Sequence, residues 1–169
     1  MKKSKLTIVG GGSTYTLGIL MSLIEEANHL PLSEITLYDT DISRQEKIGK
    51  AANILLKEHY PSLEKFEYTS NQSTAFKDAD IIFVQIRTGG LLMRELDEQI
   101  PIQHGLVGQE TCGAGGMSYG LRSIPDMIQL VKDIRSINKE AWVLNYTNPA
   151  AIVGLALDKV FPDDNRLLN

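Results

Sequence analysis

Residues 5–27, KLTIVGGGSTYTLGILMSLIEEA, read as strand, glycine turn and helix. Leu6, Ile8 and Val9 make a short apolar run with β-branched character, bounded by Gly10-Gly11-Gly12, the pattern of a strand buried on both faces. From Leu17 the apolar residues recur at Leu20, Met21, Ile24 and Ala27, the period of a helix packed on a sheet. The glycines between them let the backbone turn sharply and approach a bulky group. The free N–H groups and positive dipole end of the new helix favour a phosphate there.

A dinucleotide fingerprint asks for G-x-G-x-x-G opening a helix, with an acid further on. Gly10 and Gly12 meet the first two demands, and Ser13 and Thr14 follow them. The third glycine position is Tyr15, so close packing of helix on sheet falls to Gly18. The strand Glu34–Asp39 ends in a carboxylate, which accepts from the ribose hydroxyls of NAD and repels the extra phosphate of NADP. The plain alternative is a turn and a strand-end acid with no ligand. Strand, glycines, helix, strand and acid in that order favour binding, with Asp39 on the ribose.

The chain has 169 residues, 43% of them hydrophobic, which suits one soluble domain with a sizeable core. Its formal charge of −4, without a Lys/Arg cluster, argues against nucleic acid or an anionic membrane as partner. Met1-Lys2-Lys3-Ser4-Lys5 is basic, but only a strand-length apolar run follows, so neither a signal peptide nor a membrane span is expected. The single Cys112 excludes an internal disulfide and fits a reducing compartment, the cytoplasm.

Strands and helices keep alternating after Asp39. Ser43-Arg-Gln-Glu46 reads as a capping box, with Ile48, Ala51, Ala52, Leu55, Leu56 and His59 at helical spacing and Pro61 as the stop. His59 on that face is expected to be a packed or rim histidine. Residues 66–70 suit a strand, 73–77 a helical turn, and 80–86, DIIFVQI, a central parallel strand. Arg87-Thr88-Gly89-Gly90 follows that strand's carboxyl end, where open α/β sheets place ligands. Residues 92–99 suit a helix carrying Arg94 and Glu98, and residues 100–116 a long glycine-rich loop. Ser123 and Pro125 look like a helix start, with Met127, Leu130, Val131, Ile134 and Ile137 on one face. Residues 141–146 form a strand running into Thr147-Asn148-Pro149, where Asn148 caps the last helix, meets a ligand, or does both. The alternation predicts an α/β fold: a Rossmann-like, doubly wound, mostly parallel sheet with helices on both faces.

On periodicity alone Arg94 and Glu98 are a solvated i,i+4 ion pair. Glu110 could be merely exposed, Cys112 a small buried hydrophobe, and His104 a turn residue beside Gly105.

IVGGGSTYT, the Tyr38-Asp39 strand end, IRTGGLLMRELDEQIPIQHGLVGQETCGAGGMSYGLRSIP and VLNYTNPAA resemble the amino-terminal domain of NAD- and manganese-dependent family 4 glycoside hydrolases. The likeness covers essentially the whole chain and is nearest to the 6-phospho-β-glucosidases, with 6-phospho-α-glucosidases as near neighbours. The Asn-Pro element also resembles malate and lactate dehydrogenases, which with a non-catalytic NAD-binding module are the alternatives.

The resemblance implies redox glycoside cleavage, an exception to the paired-carboxylate mechanism. Oxidation of the sugar 3-hydroxyl by NAD acidifies the proton on carbon 2, the aglycone leaves by elimination, water adds, and the ketone is reduced again. A divalent metal, Mn2+ or similar, steadies the enediolate as a Lewis acid. Carried over, Gly10, Gly12, Ser13, Thr14, Asp39, Arg87 and Gly89 bind NAD. Arg94 holds the sugar 6-phosphate of a phosphorylated disaccharide or glucoside, and Asn148 its hydroxyls. Glu110 supports the family's catalytic tyrosine. That tyrosine and the metal ligands are expected beyond residue 169, in a carboxy-terminal substrate and metal domain absent from this chain. Residues 1–169 would then be the dinucleotide-binding domain, inactive alone, of a full-length homo-oligomer (dimer or tetramer).

Overall fold

The computed structural model describes residues 3–169, so Met1-Lys2 of the basic start lies outside the described residues. The chain divides into two units, Met1–Gln85 with Ile134–Leu144, and Ile86–Asp133 with Asn145–Asn169.

The first unit is built on β1 (Ser4–Val9), β2 (Leu32–Tyr38), β3 (Lys65–Thr69), β4 (Ile81–Val84) and β5 (Trp142–Asn145), in the spatial order β3-β2-β1-β4-β5. β1 runs parallel to both β2 and β4, with Ile8 opposite Leu37 on one side and Phe83 on the other. Parallel neighbours need crossovers, supplied here by α1 (Tyr15–Glu25), α2 (Ile42–His59) and the short α3 (Gln72–Phe76). The chain winds outward through β2 and β3, then returns to β1's other side as β4. That reversal puts a switch point at the carboxyl ends of β1 and β4, and the fold is Rossmann-like α/β as expected.

Leu6, Ile8, Leu20, Leu32, Ile35, Leu37, Ala52, Leu56 and Tyr60 form one buried cluster. Each fully buried Leu or Ile contributes roughly 1.5–3 kcal/mol relative to exposure. Buried polar atoms there find partners: Thr7 Oγ1 donates to Ala75 O at 2.6 Å, and Leu32 N donates to Tyr60 Oη at 3.1 Å.

Several local expectations are corrected. Met21 faces outward at 55% exposure, and Ala27 lies beyond the end of α1. A Cβ on Gly18 would meet nothing within 4 Å, so that glycine packs against nothing; Thr16, fully buried, is the close-packed residue. α2 is capped by Asp41, whose carboxylate accepts from Arg44 N at 3.0 Å, rather than by Ser43. An Asp cap works without the reciprocal Glu of a capping box. Ala51 and His59 are exposed.

The second unit holds α4 (Gly90–Gln103), most of α5 (Gly113–Ile137), α6 (Ala150–Val160) and the two-residue β6 (Leu167–Leu168). The expected long loop shrinks, because α4 runs through Pro101 and α5 begins at Gly113. Ser123 and Pro125 therefore lie inside a helix and do not start one. Gly115 explains the helical use of the glycine run: a Cβ there would sit 2.5 Å from Gln109 O and 2.7 Å from Asp97 O. α5 can approach α4 that closely only without a side chain.

Candidate functional site

In the first unit the glycine turn and Asp39 come together. Gly10 takes φ +84°, and Gly10 N and Gly11 N both donate to Tyr38 O at 2.9 Å. Gly12 N donates to Asp39 Oδ2 at 2.8 Å, while Asp41 N donates to Oδ1 at 2.9 Å. Each carboxylate oxygen keeps a further lone pair, so Asp39 is held in place and can still accept from a ribose hydroxyl. A Cβ on Gly12 would lie 2.9 Å from Asp39 Oδ2 and 3.1 Å from Gln45 N, so only glycine lets the turn come this close to the carboxylate. Ser13 and Thr14 lead into α1, whose amino end has no side-chain cap and no acid in its first turn. Tyr15 N donates to Ser13 Oγ at 3.2 Å and Thr16 N to Ser13 O at 3.0 Å, so what that end offers an anion is chiefly the helix dipole. These residues fit a dinucleotide. Tyr15 is 60% exposed, so the missing third glycine does no steric harm.

Two glutamines escaped the sequence reading. Gln45, buried on α2, donates to Leu37 O at 2.8 Å and Thr69 O at 2.7 Å, tying the ends of β2 and β3. Gln85, past β4, donates to Thr16 Oγ1 at 2.8 Å. Neither belongs to a local pattern that would have marked it.

The second unit carries a charge cluster. Glu110 pairs through Oε1 with Arg87 Nη1 and through Oε2 with Arg94 Nη2 at 3.3 Å. Arg94 Nε also donates to Glu98 Oε1 at 2.8 Å, so the ion pair expected from spacing is present and is joined by Glu110. The hydrogen bond to Glu98, then the charge of Glu110, hold Arg94 still more firmly protonated than usual. Beneath lies Tyr119, 3% exposed, with the guanidiniums of Arg87 and Arg122 at 5.6 and 5.5 Å from its ring centre. Burial, foremost, pushes its phenol up from 10.0.

Arg122 makes a two-pronged bond to Asp97, Nη2 to Oδ2 at 2.5 Å and Nη1 to Oδ1 at 3.3 Å, and its Nε donates to Thr88 O at 3.1 Å. Burial pushes the Asp97 carboxyl up, but hydrogen bonds from Arg122 and Ser118, with the charge of Arg122, outweigh it and leave the group below 3.8. A carboxylate with a lowered folded-state value stabilises fully above the unfolded value and loses that contribution as pH falls through the folded one. Urea midpoints of the chain are therefore expected to drop below about pH 3.8, more steeply than those of Asp97→Asn. Parallel acid limbs in the two proteins would remove Asp97 from the account.

Gly89, at φ +85°, is the residue before α4. Asn148 is exposed and is not the cap of α6; Pro149 holds that place, without a side-chain bond. His104 ends α4 in a turn, exposed, as expected. Cys112 is an exposed free thiol, not a buried hydrophobe. Among the described residues no group of three His, Cys, Asp or Glu side chains is placed to hold a metal ion. Among the same residues no helix is long and apolar enough to cross a membrane.

Residues 5–167 match the model of the Family 4 glycosyl hydrolases. The chain belongs to that family. This sets aside the hydroxy-acid dehydrogenase alternative. Within family 4, Phospho-alpha-glucosidase PagL of Clostridium acetobutylicum is 52% identical over 169 residues, covering 100% of this chain and 38% of that protein. A crystal structure of 6-phospho-alpha-glucosidase from gut microorganisms, in complex with NAD and Mn2+, matches with a TM-score of 0.96 at 53% identity, over 99% of this chain and 38% of that one. The 6-phospho-beta-glucosidase of Escherichia coli is 40% identical over 161 residues, 90% of this chain and 34% of that protein. The chain thus spans about 38% of the length of its α-type relatives. The greater likeness is to the α-type proteins, against the β leaning of the motifs.

Proposed function

We propose that this chain is the NAD-binding part of a 6-phosphoglucosidase, acting at full length on 6-phospho-α-glucosides with NAD and a divalent metal. The observation that carries the cofactor reading is the Gly12 N to Asp39 Oδ2 bond of 2.8 Å, which fixes a ribose acceptor beside the phosphate-binding turn. The α preference is supported by 52% identity to an α-type relative against 40% to a β-type one. Bound NAD supplies a two-electron acceptor for a sugar hydroxyl.

The chain's own residues bind and orient. Gly10, Gly12, Ser13 and Thr14 take the pyrophosphate, Asp39 the adenosine ribose, and Arg87 and Gly89 add to the cofactor-binding set. Arg94 binds the sugar 6-phosphate with a planar, permanently charged fork. Asn148 hydrogen-bonds sugar hydroxyls. Glu110, pinned by Arg87, supports the basicity of a tyrosine in the remainder of the protein.

The test is hydrolysis of paired α- and β-glucoside 6-phosphates by the full-length protein with NAD and Mn2+. The α anomer alone is expected to turn over; turnover of the β anomer alone would reverse the preference. Arg94→Ala should weaken binding of the phosphorylated glucoside about 100-fold, the loss of one or two charge-assisted hydrogen bonds, and leave NAD affinity unchanged. If both affinities fall together, or neither falls, the role given to Arg94 is wrong.

A further inference from the structure

A guanidinium has two hydrogen-bonding edges: the side edge of Nε and one Nη, and the end fork of the two Nη groups. In Arg94 the side edge is taken. Nε donates to Glu98 Oε1 at 2.8 Å, and Nη2 lies 3.3 Å from Glu110 Oε2. Nη1 donates no hydrogen bond among the described residues, and the side chain is 42% exposed. Two carboxylates therefore hold the back of the group while its end fork stays open.

We propose that Glu98 is a positioning residue for oxyanion recognition, one that holds the end fork of Arg94 ready for a phosphate monoester. This rests on the reading of Arg94 as the phosphate ligand. Fixing Nε stops rotation of the guanidinium plane, and Arg94 and Glu98 stand one turn apart on α4, so this half of the clamp is set by that helix alone. Net charge does not do the work: Arg87 and Arg94 against Glu98 and Glu110 sum to zero. A dianion gains there from two aligned donors and hardly from bulk attraction. Glu98 thus favours a tetrahedral oxyanion, which takes parallel N–H groups, over an uncharged sugar. The competing reading is a surface i,i+4 pair that adds slightly to helix stability and nothing to binding.

The experiment titrates the full-length protein, holding NAD, with glucose 6-phosphate and with glucose, in four forms: unmodified, Glu98→Ala, Glu98→Gln and Arg94→Ala. Glu98→Ala is expected to weaken glucose 6-phosphate binding about tenfold, the ordering of one long side chain, with NAD and glucose affinities unchanged. Glu98→Gln keeps an acceptor for Nε and should recover most of that loss. Retained NAD affinity serves as the check on folding. Unchanged binding in both Glu98 variants overturns the proposal. So does tighter binding in both, which would make Glu98 a competitor for Arg94, and so does equal loss in both. If Arg94→Ala binds glucose 6-phosphate normally, the phosphate reading of Arg94 fails and the role of Glu98 falls with it. Loss in Arg94→Ala without loss in Glu98→Ala overturns the Glu98 role alone.

Discussion

Arg122→Ala is expected to lower the free energy of unfolding by about 3 kcal/mol, the lower end of what breaking a buried ion pair costs. Asp97 is the reason. Its side chain is 4% exposed, and without Arg122 the carboxylate loses its ion-pair partner and keeps the Ser118 bond in a place water barely reaches. The arginine also leaves Thr88 O without its donor and uncovers one face of Tyr119. Urea denaturation followed by circular dichroism measures the change, and Arg122→Ala/Asp97→Ala should regain part of it by removing the stranded charge. A loss under about 1 kcal/mol would reduce the contact to a surface pair.

Gly10→Ala is expected to destabilise the first unit by about 3 kcal/mol or more and to abolish measurable NAD binding. Gly10 sits at φ +84°, where an L-residue is strained by roughly 1–2 kcal/mol. The added Cβ would also lie 2.6 Å from Gln85 O and 3.0 Å from Gln85 C, backbone atoms at the end of β4 that cannot swing aside. Relief would part the turn from the end of β4 and disturb the Gly12 N to Asp39 Oδ2 bond that holds the strand-end carboxylate. Gly18→Ala is the matched control. Nothing lies within 4 Å of its new methyl, and alanine in a helix is favoured over glycine by roughly 0.5–1 kcal/mol. Equal behaviour of the two variants would deny the turn its special geometry.

The first βαβ stretch was legible because its evidence is local: β-branched residues before a glycine run, then a period of 3.6, then an acid at a strand end. Glycines 113–116 misled because the letter has two meanings. Gly113 adopts φ +62°, which any loop reading anticipates, but Gly115 is there to let α5 approach the backbone of Asp97 and Gln109. That need is created by a partner in α4, invisible to any window along the chain. The same distance hides Asp97 and Arg122, 25 residues apart. Read singly, each is an ordinary surface charge. Gln45 is harder still, since a buried amide bridging two strand ends has no sequence period at all. The anomeric preference is a different matter, since it rests on identity to α-type and β-type relatives and on no motif along the chain.

Cys112 and Trp142 are the chain's one thiol and one indole. The thiol lies in the second unit and the indole in the first, and both are solvent-exposed. A dye coupled to the sulfur and the native ultraviolet emission therefore give separate optical channels without any engineered label. Followed through one titration, they tell whether the halves of the molecule melt as a single cooperative block or in succession.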